Sequence, residues 1–338
     1  MAVVDVDSLG NEPVDPDDDL PDEAKKIAGR SPTQIAMQRL RSDKLAIFNI
    51  SVIVFLILIA VLAPLITTYW PWGELSTNGQ FQLLDPLAGN LPAVGPPNHG
   101  FILAHPLGVT PNTGIDNTAF LLYGLRTDMF IGLVSTVLSM IIGIVLGLMA
   151  GFSRGPVDRI ITFAIDVFLC FPFLIGAISL APIIASHFAS DQSALTKAQI
   201  FSLIGILVFF GWMGLARLIR GYVISLRERE FIQAAQVIGA PTRRILFKEL
   251  LPNLAGPIIV SLSLTLPALI SAEAVLSFLG VGITGSPSIG QMIENATNYY
   301  ASYPLYLYAP VFVLLVLVIC LNLLGDSVRD AFDPGTRR

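Results

Sequence analysis

Charge is scarce in this chain, and so are the residues that build most catalytic centres. Asp, Glu, Lys and Arg make up only 13% of its 338 residues, and there are 2 cysteines and 3 histidines. Cys170 and Cys320 both fall in apolar runs, where a thiol acts as a small packing residue, so neither a disulfide framework nor a thiolate site is expected. His99, His105 and His187 lie outside those runs with no Cys or carboxylate at ligand spacing, so no metal site is expected either. No His-Glu-x-x-His or Gly-Lys string occurs, so there is no zinc-protease signature and no phosphate-binding loop, and no catalytic residue is expected. If the chain's work consumes ATP, a partner must bind the nucleotide.

What the chain does have is hydrocarbon. Hydrophobic residues reach 54% and the mean hydropathy is +0.71, more than a soluble core of this length needs. The apolar residues are bunched into six runs near 45–66, 129–151, 160–186, 199–219, 254–279 and 305–325. Each is long enough to cross about 30 Å of hydrocarbon as a helix. The expected fold class is therefore all-α, a polytopic membrane protein with six transmembrane helices.

Cationic loops resist translocation, so Lys and Arg mark the cytoplasmic side. With the N-terminus inside, all of the 20 cations except Arg126 and Lys197 fall on inner segments, which predicts both termini in the cytoplasm. The net charge of −5 is a local property: residues 1–23 carry nine acids and no base, leaving the remainder at +4. Such a Pro-punctuated acidic stretch cannot bury apolar area. The expected organisation is a disordered acidic tail (1–40), a first span (41–66), an extracytoplasmic loop rich in Pro, Gly and Asn (67–125), a five-helix core (126–325) containing an inner loop (221–253), and a C-terminal tail (326–338). The first apolar run begins too late and is too long for a cleaved signal peptide.

Within the spans, Ser135, Ser139, Gly143, Gly147 and Gly151 recur at every fourth position and form a ridge that lets another helix approach closely. Asp166 and Glu273 are the acidic groups inside the apolar runs. They could belong to an ion path. The expected role is structural instead, accepting hydrogen bonds from broken-helix backbone near Pro172 and near Gly280, Gly282 and Gly285, because each acid lacks a cationic partner within its own run.

The inner loop is the most distinctive segment. Arg227 to Ile238 reads as a polar helix, Gly239 suits the positive φ that ends one, and Pro241 suits the first turn of the next while forcing Ala240 out of helical geometry. Pro252 is expected to end that second helix. Ala234 and Ala235 leave a shallow notch, with Ile238, Ile245, Leu246 and Leu250 as knobs around it. Taken alone, this pattern also fits an ordinary amphipathic loop.

The run Gln233-Ala234-Ala235, with Gly239 four residues on and Leu251-Pro252 before the fifth span, resembles the coupling motif of importer permeases of the ATP-binding cassette class. Gln233 stands where that family usually has Glu. The strings HPLG (105–108), YGLRT (123–127), DVFLCFP (166–172), LREREF (226–231), AEAVLSFLGVG (272–282) and NLLGDSVRDAFDP (322–334) are similar to the C-type permease subunit of dipeptide, oligopeptide and nickel importers. At 109–118 the chain departs from that pattern, keeping only Gly114 and Asp116.

The resemblance implies a type I ABC importer permease fold in a bacterial plasma membrane. It implies a complex with a homologous B-type permease, two cytoplasmic ATPases that carry the ATP and Mg, and an extracytoplasmic substrate-binding protein. No cofactor on this chain and no nucleic-acid partner is implied. Gln233, Ala234, Ala235, Ile238, Gly239, Ala240, Pro241, Leu251 and Pro252 would contact the ATPase, and Phe171, Phe173 and Glu273 would line the path. Peptides, recognised largely through backbone groups, suit a chain with so few charges in its spans. Nickel or haem-like cargo stays open, as does a secondary transporter, although no internal repeat is visible.

Overall fold

The computed structural model describes residues 32–71, 75–96, 99–187, 191–283 and 285–332; most of the acidic tail and residues 333–338 lie outside them. The chain enters through α1 (Pro32–Ser42), so residues expected to belong to an unstructured tail are helical here. Asp43 then accepts a hydrogen bond from the Leu45 N–H at 2.9 Å and starts α2 (Lys44–Thr68), the first span. Among the described residues up to the next long helix, the regular structure is a 3-10 turn (Phe81–Leu83), a two-residue ladder, β1 (Leu84–Asp85) against β2 (Leu91–Pro92), and a Val109–Asp116 bridge.

Helix α3 (Asn117–Phe152) starts where Asp116 accepts from the Ala119 N–H at 2.9 Å, well before residue 126, where the core was expected to begin. Gly155, at φ 84°, turns the chain into α4 (Pro156–Cys170). Next come α5 (Phe173–Ser186), α6 (Gln192–Gly211) and α7 (Met213–Arg227). Ala194–Arg227 forms one 34-residue apolar span. Helices α4 and α5 are long and apolar enough for a membrane only when taken together, as a broken span or a re-entrant loop bent by 89° at Phe171-Pro172. Pro172 has no N–H to give, and its ring disfavours helical geometry at Phe171.

Helix α8 (Glu230–Val237) and α9 (Thr242–Arg244) follow, then a π-helical stretch (Ile245–Leu250) and α10 (Leu251–Asn253). The fifth span is α11 (Ala255–Leu276) with a π-helical end (Ser277–Val281) at which Gly280 adopts φ 76°. Helix α12 (Ile289–Ala296) precedes the last span, α13 (Pro304–Phe332). Five helices, and the bent pair as a sixth, are long and apolar enough to cross a membrane.

Close approaches between helices fix the direction of each crossing. A Cβ placed on Gly143, Gly147 or Gly151 of α3 would meet Trp212 O at 2.9 Å, Ala216 O at 2.8 Å and Arg220 O at 2.8 Å respectively. Four residues on one helix match four on the other, so α3 and α7 run parallel, with the bent pair returning the chain between them. Helix α11 runs the opposite way, since Gly132 abuts Ile270 while Gly124 abuts the Ser288–Ile289 backbone beyond its far end. Gly256 faces Phe332 and Gly325 faces Ser263, so α13 is antiparallel to α11. At the first span, Thr67 Oγ1 lies 3.3 Å from Tyr123 OH, and Asp43 is hydrogen-bonded by Ser327. The start of α2, the end of α13 and the α8–α10 loop therefore share one end of the bundle.

The first span is more than an anchor. Its Ile53, Leu56 and Ala60 pack with Leu125, Ile270, Leu317 and Leu321 in one buried cluster. The small-residue ridge of α3 is buried within this chain. Both cysteines are free, Cys170 exposed and Cys320 buried.

Candidate functional site

The inner loop folds as a two-armed elbow. Helix α8 ends in a motif that the sequence supports residue by residue: Gly239 takes φ 75°, its N–H reaches Gln236 O at 3.0 Å, and the Ala240 N–H reaches Ala235 O at 3.0 Å. Pro241, at φ −65° and ψ 144°, caps the second arm from outside and is not its first helical residue. The second arm runs through Pro252 without stopping there. The π-helical stretch at Ile245–Leu250 shifts the hydrogen-bond ladder just ahead of the residue that cannot donate, and the turn comes at Leu254.

The elbow has two faces. Ile232, Ile245, Leu250 and Leu254 are buried with Leu148, Leu215, Ile219 and Val223 of α3 and α7, and Ala235, Ala240, Leu246 and Leu251 pack partly against them. Ile245 and Leu250, expected as outward knobs, are thus the roots by which the elbow is fixed to the spans. The outward face carries Gln233, Ala234, Gly239, Pro241 and Pro252, together with Val237 and Ile238 at 87% and 77% exposure and Phe231 and Phe247. Gln233 Nε2 donates to Glu228 O at 3.2 Å, so this side chain has a local task that needs no carboxylate. Arg229, Arg243 and Arg244 rim this surface, all exposed.

The two acids in the apolar runs do not accept from broken-helix backbone. Asp166 of α4 is ion-paired with Arg217 of α7, both about half exposed, so the cationic partner missing from its own run comes from another span. One turn nearer the elbow, Arg220 grips Asp158 with two bonds, Nε to Oδ1 at 2.7 Å and Nη2 to Oδ2 at 3.1 Å. These pairs clamp α4 to α7.

Glu273 is completely buried, as is Asp128 of α3, which sequence reading left out because the second apolar run was counted from residue 129. The two carboxyls face each other. Ser277 Oγ donates to Glu273 Oε1 at 2.6 Å, and the Ile289 N–H donates to Asp128 Oδ2 at 3.1 Å. The remaining oxygens, Asp128 Oδ1 and Glu273 Oε2, receive no donor.

Phe171 and Phe173 flank the bend. Phe171 stacks on Phe210 at 5.9 Å and Phe173 meets the same ring edge-on at 5.6 Å. Phe171 is half exposed and Phe173 half buried. Glu273 does not share this surface.

At the end of the bundle opposite the elbow, His105 Nδ1 lies 2.7 Å from the buried Asp116 Oδ2. The Asn117 N–H reaches Gly108 O at 3.0 Å and Asn117 Nδ2 reaches Leu107 O at 3.0 Å. The HPLG string and Asp116 thus converge on the start of α3. Among the described residues no group of three or more His, Cys, Asp or Glu could hold a metal ion.

Comparison with known proteins agrees with this architecture. Residues 143–338 match the family described as "Binding-protein-dependent transport system inner membrane component", and residues 31–86 match "N-terminal TM domain of oligopeptide transport permease C". The chain is 32% identical over 319 residues to the oligopeptide transport system permease protein OppC of Bacillus subtilis (strain 168), covering 94% of each. It is 33% identical to the dipeptide transport system permease protein DppC of the same organism, covering 90% of this chain and 87% of that one. OppC of Mycobacterium bovis is 36% identical over 69% of this chain and 77% of its own length. The inward-facing MetNI methionine ABC transporter has the same fold over 63% of this chain and 96% of the MetNI chain, with a TM-score of 0.50 at 20% identity. With buried spans, elbow and sequence in agreement over nearly its whole length, the chain belongs to the family of inner membrane components of binding-protein-dependent transport systems.

Proposed function

We propose that this chain is the permease subunit of an ATP-driven importer of dipeptides and oligopeptides in a bacterial plasma membrane. It forms half of the translocation path beside a homologous permease, and a substrate-binding protein delivers cargo from outside. The two ends of the chain and the elbow lie in the cytoplasm, a placement that the distribution of Lys and Arg supports. Hydrolysis of ATP, with its Mg, belongs to two separate ATPases. Peptide cargo is supported by the relatives named for oligopeptide and dipeptide transport.

The observation that carries the coupling role is the two-faced elbow. Its inner face is packed into the ends of α3 and α7, so displacement of the elbow must displace those helices, because close-packed contacts do not stretch. Its outer face presents Val237 and Ile238 to water, apolar area that docking on an ATPase removes. Closure of the ATPases on ATP would draw the elbows of the two permeases together and rock the spans, opening the path outward. Phe171 and Phe173 supply aromatic surface to that path at the bend of the third span.

Ile238→Glu tests the role. The side chain touches no core, so the chain should insert and fold as before. Retention of the ATPases on the affinity-purified permease should fall at least about tenfold, as for loss of an interface anchor, and ATP-dependent peptide uptake by proteoliposomes should vanish. Undiminished ATPase retention and uptake in this variant refutes the coupling role.

A further inference from the structure

The transport reading leaves Asp128 and Glu273 without a task, yet their burial is complete. They lie where three elements meet. Asp128 sits on α3, Glu273 sits on α11 one turn before Ser277, and the Ser288–Ile289 start of α12 closes the third side. The fit is tight because glycines line it. A Cβ on Gly124 would stand 3.1 Å from Ile289 N, and one on Gly290 would stand 2.8 Å from Ser277 Cβ. No water-sized gap is needed to explain the contact.

On Asp128 act Glu273, the Ile289 N–H and Ser288; on Glu273 act Ser277, Asp128 and Ser288. No Lys, Arg or His is among them. Two carboxylates in contact, shielded from water and with no cation to offset them, cannot both carry charge. Asp128 Oδ1 and Glu273 Oε2 are also two acceptors left with no donor. A single proton between them removes both difficulties. It makes one hydrogen bond of two orphaned oxygens, and it leaves one negative charge held by the Ile289 N–H and the serine hydroxyls.

We propose that Asp128 and Glu273 share one bound proton, and that this carboxyl–carboxylate pair is a static latch holding the start of α12 against α3 and α11. The proton is part of the fold and is not cargo. Asp158 and Asp166 of α4 are engaged with Arg220 and Arg217 on a separate pair of helices and offer the pair no relay. The latch is independent of cargo identity and of the ATPase contact.

Infrared difference spectroscopy on the full chain purified in detergent tests this. At neutral pH the wild-type-minus-Glu273→Gln and wild-type-minus-Asp128→Asn spectra should show the same carboxylic-acid carbonyl band, shifted by D2O. Either amide supplies an N–H in place of the shared proton, so both variants should fold with near-native thermal stability. Asp128→Ala should melt lower, and Asp128→Ala/Glu273→Ala should lose less than the two single alanine variants summed. Absence of the band, or its loss in only one amide variant, overturns the sharing. In proteoliposomes of the assembled transporter, uptake that depends on an imposed proton gradient overturns the static role.

Discussion

Gly147→Ala isolates the packing that defines this bundle. Its added methyl would stand 2.7 Å from Ile219 Cβ and 2.8 Å from Ala216 O, whereas carbon atoms in contact prefer about 3.5–4.0 Å. The obstructing atoms are a backbone oxygen and a β-carbon, neither of which can rotate away, so α3 and α7 must part by roughly 1 Å. Overpacking of this kind costs about 1–3 kcal/mol. Alanine also favours the helix over glycine by up to about 1 kcal/mol. Gly221→Ala, on α7 with nothing within 4 Å of the added methyl, isolates that second effect. Thermal denaturation in detergent, read by size-exclusion fluorescence, should therefore place Gly147→Ala below Gly221→Ala by about 1–3 kcal/mol. Equal or reversed melting order refutes the claim that the glycine ridge sets the α3–α7 distance.

Other consequences are as direct. Asp158→Asn removes the two-bond grip of Arg220; because both side chains keep some contact with solvent, the loss should be about 1 kcal/mol in the same melting assay, and Arg220→Lys should recover little of it. Asp166→Ala strands Arg217, so the yield of folded chain should fall, while Asp166→Ala/Arg217→Leu should recover it. Asp116→Ala removes both the cap of α3 and the partner of His105, at about 1–2 kcal/mol for the cap alone, and limited proteolysis should show the preceding loop opening first. Gly239→Pro demands φ near −65° where the chain holds 75°; the elbow should misfold and ATPase retention should fail even if the spans insert.

Most of the crossing pattern was readable from composition, because hydrocarbon thickness dictates run length and Lys and Arg mark one set of loops. The glycine ridge and the Gly239 turn were readable for a related reason, since each depends on backbone geometry that one residue type permits. What escaped depends on contacts between distant segments. Arg217 looked like part of an inner loop and proved to be Asp166's partner, because α6 and α7 continue as one long span. Asp128 escaped because apolar counting trims a helix at its first charge, whereas the real helix begins at Asn117 under an aspartate cap; the available signal was Asp116 followed by an unbroken helical stretch. Ile245 and Leu250 were read as knobs because an apolar side chain in a polar loop looks the same in sequence whether it faces a partner or packs against the chain's own spans. Residues 32–40 were read as tail from the composition of what precedes them.

The right-angled bend at Phe171-Pro172 constrains what can lie beside it in a bilayer. Backbone that abandons its helical ladder in the middle of an apolar run is tolerated only against protein or water, never against lipid tails. Phe210 covers one side of Phe171, and about half of the Phe171 surface is exposed. That corner therefore needs protein or water beside it, and lipid tails alone cannot serve.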